Sequence, residues 1–127
     1  MKRTNYSTNT SWEKKVCYSR AVRIGNIIEV SGTVASDENG NIIGEGDVGK
    51  QTHFIFEKIQ KTLQRAGADM KDVVRTRMYV ADISDFEKVG EVHAHFFKGI
   101  NPASSLIEVS RLVNDLLIEI EVTAVIE

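Results

Sequence analysis

The chain has one cysteine, one proline and one tryptophan among its 127 residues. It also has no apolar run near the roughly 20 residues that span a bilayer. The lone thiol, Cys17, can close no internal disulfide and supply no cysteine-rich zinc site, and it suits a reducing compartment. Neither charge sign dominates: 16 Lys and Arg stand against 18 Asp and Glu, for a net charge of -2. With a pI near 5.9, no general pull toward phosphate backbones is expected, and nucleic acid is not the natural partner. Met1 to Lys15 is polar and lacks the apolar core of a secretory signal, so the cytoplasm is the expected compartment. No glycine-rich phosphate loop of standard spacing occurs, and His93 and His95 sit only two apart, too close to grip one metal from one helix face. Neither a cofactor nor a metal is expected.

What remains is an ordinary globular composition, 42% apolar and 27% charged, at a length that predicts one domain over residues 1–127. Val16 to Arg23 and Asn26 to Gly32 are rich in β-branched residues and flank a Gly25-Asn26 turn, which predicts a hairpin. Asp47 then caps a helix whose Thr52, Ile55, Ile59, Leu63 and Ala66 recur at helical spacing, with Gly67 placed to end it. Val73 to Val80 alternates, with Val74, Thr76, Met78 and Val80 expected on one face. Ser84 and Glu87 form a capping-box pattern ahead of a second helix striped by Phe86, Val89, His93, Phe96 and Phe97. After Asn101-Pro102, two more strands are expected from Ser105 to Val109 and Leu117 to Ile126.

This order predicts an α+β fold, a mixed sheet with both helices on one face. Ile118, Ile120, Val122 and Ala124 would line the core side of the last strand. Glu29, Ser31, Arg75, Arg77, Tyr79, Glu108, Glu119 and Glu121 would fall on the other face, together with apolar Ile27, Leu106 and Val125. Pairing with copies of itself would cover that apolar area, so a homo-oligomer is expected.

The strings Gly25-Asn26-Ile27-Ile28-Glu29-Val30-Ser31-Gly32, Ser84-Asp85-Phe86, Asn101-Pro102-Ala103-Ser104-Ser105-Leu106-Ile107-Glu108-Val109 and Ile118 to Val125, in this order and spacing, resemble the RidA (YjgF) family. The resemblance covers nearly all of the chain after Val16. It implies a chorismate-mutase-like fold and a homotrimer with small-molecule clefts between subunits. It also implies hydrolysis of reactive enamines and imines to a carbonyl compound and ammonia. By the same resemblance Glu119 would place the attacking water, and Tyr18, Ser31 and Gly32 would shape the pocket.

The departures from the deaminating pattern fall in the cleft. Where those members read Pro-Ala-Arg-Ser-Cys, this chain reads Pro102-Ala103-Ser104-Ser105-Leu106, and Gly90 takes the place of a cleft asparagine. A guanidinium grips a carboxylate through two charge-assisted bonds; a serine offers one neutral donor. Arg77 is the candidate for a substitute cation, with cross-strand pairing to Glu29, Glu108, Glu119 or Glu121 as its alternative role. Three functions are therefore weighed: a RidA-like hydrolase, a trimeric metabolite-binding or regulatory module that does no chemistry, and RNA cleavage or translation inhibition. The last is disfavoured because no basic groove is visible.

Overall fold

The structure, a computed structural model, describes residues 1–127. Six strands form one sheet: β1 (Arg3–Tyr6), β2 (Ala21–Ile24), β3 (Ile27–Val34), β4 (Val73–Val80), β5 (Ala103–Glu108) and β6 (Ile118–Val125). Three α-helices accompany them, α1 (Ser11–Val16), α2 (Val48–Arg65) and α3 (Phe86–Phe97). The strand order is β1-β2-β3-β6-β4-β5, and every pairing is antiparallel except β4 with β5. The expected α+β architecture is thus present.

Local chemistry explains where the elements begin and end. Asp47 sits in extended backbone and its side chain accepts from the Lys50 amide at 3.1 Å, which caps α2. Gly67, just past the helix, holds a φ of +89° that a side chain would strain. Ile55, Phe56, Ile59 and Leu63 on α2 are fully buried. They meet Ile28 and Val30 of β3 and Ile118, Ile120, Val122 and Ala124 of β6, which places the core between helix and sheet. Phe97 of α3 closes it edge-on to Phe56, with ring centroids 5.2 Å apart.

Four expectations are corrected. The segment from Val16 to Arg23 is not one strand, because Thr10 caps α1 by accepting from the Glu13 amide and the helix runs to Val16, leaving β2 to start at Ala21. Val74 is not a core residue: the register slips between Val73 and Arg75, so Val73 takes the buried place and Val74 is 45% exposed. The Ser84 cap gives way to Asp82, whose carboxylate accepts from the Ser84 amide at 2.9 Å and starts a 3-10 turn that leads into α3, leaving Phe86 exposed. Finally, β5 has the opposite phase. Its parallel register sets Leu106 beside Met78 and Glu108 beside Val80, on the helix side of the sheet, so Leu106 packs against the core and Ile107 takes the open face.

The N-terminal segment is tied down by a buried carboxylate. Glu13 accepts hydrogen bonds from Ser7 Oγ at 2.8 Å, from the Thr8 amide at 3.1 Å and from Thr8 Oγ1. Burial raises its pKa, but these bonds together hold it below the ordinary value of 4.5. A carboxylate depressed in the folded state contributes stability above its unfolded pKa, and that contribution is lost as pH falls through the folded one. Glu13→Gln is therefore expected to lower stability by about 1–3 kcal/mol at neutral pH. In urea melts of both proteins the gap should narrow below pH 4.5; a gap that does not change with pH would contradict this account.

Candidate functional site

The sequence-predicted residues fall into two patches on opposite faces of the sheet. The first is built around an irregularity in β3, where the register with β6 shifts between Val30 and Thr33 and leaves Gly32 in the bulge. Glu119 leaves β6 on the face without helices, and its carboxylate lies against Gly32 so closely that a Cβ at that position would collide with Oε2. The absence of a side chain at position 32 is what lets the Glu119 carboxylate lie there. Beside it, Arg20 is 93% buried, by the 7% of its surface that remains exposed, and donates from Nη2 to the Gly32 carbonyl at 2.6 Å. Its guanidinium carbon stands 5.7 Å from the centre of the Tyr18 ring. Ser31 donates its hydroxyl to the Ser19 carbonyl at 2.6 Å, which fixes the backbone that carries Tyr18 and Arg20.

The electrostatics of this patch are mixed. Burial pushes the Glu119 carboxyl above 4.5, Arg20 draws it back and Glu121 adds to the rise. Arg20 was not singled out in the sequence, where nothing distinguishes it from other strand-flanking cations. Its Nε is buried without a hydrogen-bond partner.

Arg77 is on the open face but belongs to a different set of contacts. Its cross-strand neighbour is Glu121, with Nε 3.8 Å from Oε1, and both terminal nitrogens reach Thr123 Oγ1 at 3.4 Å. Tyr79 donates to the same Glu121 at 3.0 Å. Arg75 is held by Ser105, to whose hydroxyl it donates at 2.7 Å. The two arginines thus form a ladder of polar contacts, while the cross-strand neighbour of Glu119 is Tyr79.

The second patch is on the helix face at the edge strand β5. Ser104 is exposed, yet its oxygen accepts from Thr76 Oγ1 at 2.8 Å, and Thr76 in turn meets His93 Nε2 of α3 at 2.9 Å. Thr76 is fully buried. Its position among apolar residues of β4 was the legible signal, since a buried hydroxyl demands partners. His93, on the apolar stripe of α3, is half-buried and hydrogen-bonded. Gly90 lies three residues before His93 on α3 and faces open space, with nothing within 4 Å of where a Cβ would stand. Leu106, two residues along β5 from Ser104, is half-buried.

One chain does not bring the two patches together. Ser104 and Glu119 point to opposite sides of the sheet and stand on strands separated by β4. A surface depression of about 530 Å³ between Gly67, Lys71, Val74 and Val125 belongs to neither patch.

Comparison with known proteins agrees with the fold. A family model described as Endoribonuclease L-PSP matches residues 8–126. A RutC family protein of Pyrococcus abyssi is 41% identical over 107 residues, 84% of each chain. The 3-aminoacrylate deaminase RutC of Acinetobacter baylyi is 34% identical over 103 residues, covering 81% of this chain and 82% of that one. The crystal structure of Rv2704 from Mycobacterium tuberculosis, a member of the YjgF/YER057c/UK114 family, superposes with a TM-score of 0.89 at 44% identity, covering 98% of this chain and 100% of that one. The resemblance read from the strand and turn motifs and the fold seen here lead to one conclusion: the chain belongs to the Endoribonuclease L-PSP family, the RidA/YjgF proteins.

Proposed function

We propose that the protein works as a homotrimer whose intersubunit clefts bind small reactive imines or enamines and hydrolyse them to a carbonyl compound and ammonia. The observation that carries this reading is the Glu119 carboxylate, half-buried over the Gly32 bulge, raised toward neutrality by burial and kept within reach of ionisation by Arg20. Such a group takes a proton from water as the water oxygen attacks the C=N carbon, and a carbinolamine forms. That proton passes to the nitrogen, and the carboxylate then carries the hydroxyl proton of the carbinolamine to the amine, so that ammonia leaves as the C–N bond breaks and the carbonyl forms. The relative named as a 3-aminoacrylate deaminase supports this class of chemistry.

Two features support the trimer. The Tyr18, Ser31, Gly32 and Glu119 patch and the Gly90, Ser104 and Leu106 patch lie on opposite sides of one sheet, so only neighbouring copies can set them across a shared cleft. The open face also exposes Ile27 at 52% and Ile107 at 51%, which a second sheet would cover. A carboxylate on the ligand finds no guanidinium at position 104. Arg77 is engaged by Glu121 and Thr123, so Arg20 is the cation nearest the reacting end. Cytoplasmic placement belongs to this reading, and no helix is long and apolar enough to cross a membrane.

The test is the rate of 2-oxo acid formation from freshly generated 2-iminopropanoate, wild type beside Glu119→Ala. Acceleration that falls by about 100-fold in the variant is expected for a lost general base. No acceleration by a wild type shown to be an intact oligomer would leave a metabolite-binding module as the function of these clefts.

The base must be ionised, so the rate should rise with pH through a midpoint above 4.5. Gly32→Ala should leave the fold standing, because the atom it meets first is the end of a flexible side chain. It should nonetheless swing the carboxylate aside, reduce the rate as Glu119→Ala does, and return the Glu119 midpoint, followed by carboxyl carbon NMR, toward the ordinary value. An unchanged midpoint would show that the bulge does not set the charge of Glu119.

A further inference from the structure

The second patch contains a chain of hydroxyls that the hydrolase reading leaves unused. Thr76 Oγ1 stands 2.8 Å from Ser104 Oγ and 2.9 Å from His93 Nε2. A hydroxyl has one proton to give. When the ring is an imidazolium its Nε2 donates to Thr76, the Thr76 proton is left for Ser104, and the Ser104 hydroxyl keeps its own proton for whatever lies outside. In that state direction is built in: from a ring packed against Phe56 and Phe97, through a buried threonine, to an exposed serine at the edge of the sheet.

We propose that His93, Thr76 and Ser104 form a proton relay that delivers a proton at the β5 edge to a ligand atom with a free electron pair, an imine nitrogen or a carbonyl oxygen. Ser104 is the catalytic residue of this relay, and Thr76 and His93 are positioning residues that act through it. The proposal rests on the cleft reading for its substrate class only; the relay itself stands on the two contacts.

The step balances within the chain. The Ser104 O–H bond breaks as the ligand N–H bond forms; the Thr76 proton moves to Ser104 Oγ; the Nε2 proton of the imidazolium moves to Thr76, and the ring is left neutral with its proton on Nδ1. Protonation of the imine nitrogen makes its carbon the better electrophile for water. The groups facing the ring are Phe56 from α2, Thr76 from β4 and Phe97 from α3, none of them titratable. Burial alone lowers the His93 pKa below 6.5, so its imidazolium is a stronger acid than an ordinary histidine. The exchange of arginine for serine is then a change of task, from holding a carboxylate to feeding a proton.

The first test needs no substrate. Imidazole ¹⁵N–¹H spectra of the wild-type oligomer across pH are expected to follow His93 from imidazolium to neutral ring, and Ser104→Ala is expected to shift its signals although residue 104 does not touch the ring. His93 signals that Ser104→Ala leaves in place across the whole titration would overturn the relay.

The second test follows hydrolysis of benzaldehyde methylimine, which has no carboxylate. The rate should fall as pH rises through the His93 midpoint, and Ser104→Ala and the near-isosteric Thr76→Val should each lower it by about 100-fold. Wild-type acceleration that both variants keep would sink the proposal. If the wild type accelerates neither imine, the hydrolase reading fails by itself, and the spectra still decide whether the relay exists.

Discussion

The pairing of β6 on both of its edges is the constraint from which the rest of the molecule follows. It runs antiparallel to β3 on one side and to β4 on the other, so β3 and β4 are parallel to each other with β6 between them. Parallel strands need a crossover, and α2 supplies it; α3 supplies the next, between β4 and β5. Because such crossovers share one hand, both helices land on the same face. Alternation along β6 then divides its residues without exception. Ile118, Ile120, Val122 and Ala124 are buried under α2, while Glu119, Glu121 and Thr123 emerge on the face that no helix covers.

Much of this was legible in the chain. The two long amphipathic segments, the Gly25-Asn26 hairpin and the strict alternation of β6 each repeat one signal over several residues, and repetition outweighs local exceptions. What could not be read depends on single contacts between distant segments. The α1 hook rests on a glutamate that collects hydrogen bonds from Ser7 and Thr8, and nothing in its neighbours marks Glu13 as buried. The slip at Val74 was hidden because Val73 and Val74 are equally apolar. The phase of β5 was hidden for the same reason: Leu106 and Ile107 are adjacent and either could face inward, so only the parallel register with β4 decides.

These phase decisions also determine what kind of site the chain can build. Had β5 kept the expected phase, Ser104 would share the open face with Arg77 and Glu119 within one subunit. Its actual phase turns Ser104 toward α3, where Thr76 and His93 wait. The open face keeps a ladder in which Arg77 serves Glu121 and Thr123. Withdrawing Arg77 to serve a ligand would leave a half-buried carboxylate without its cation, a cost of the kind that makes broken buried pairs destabilising. Arg20, by contrast, already sits in the Glu119 patch with one nitrogen uncommitted.

Position 104 is constrained from inside as well as from the solvent. Thr76 has no exposed surface, and a buried hydroxyl is stable only when both its proton and its lone pair find partners. His93 meets one of these needs and Ser104 the other. A long side chain at 104 would carry its polar atoms past Thr76 and leave the threonine hydroxyl with His93 as its one side-chain partner, while an apolar residue of serine's size would do the same with less disturbance. Serine satisfies the interior and still presents a hydroxyl to the outside. The three residues therefore stand or change together, and the serine at 104 is the outer end of that internal arrangement.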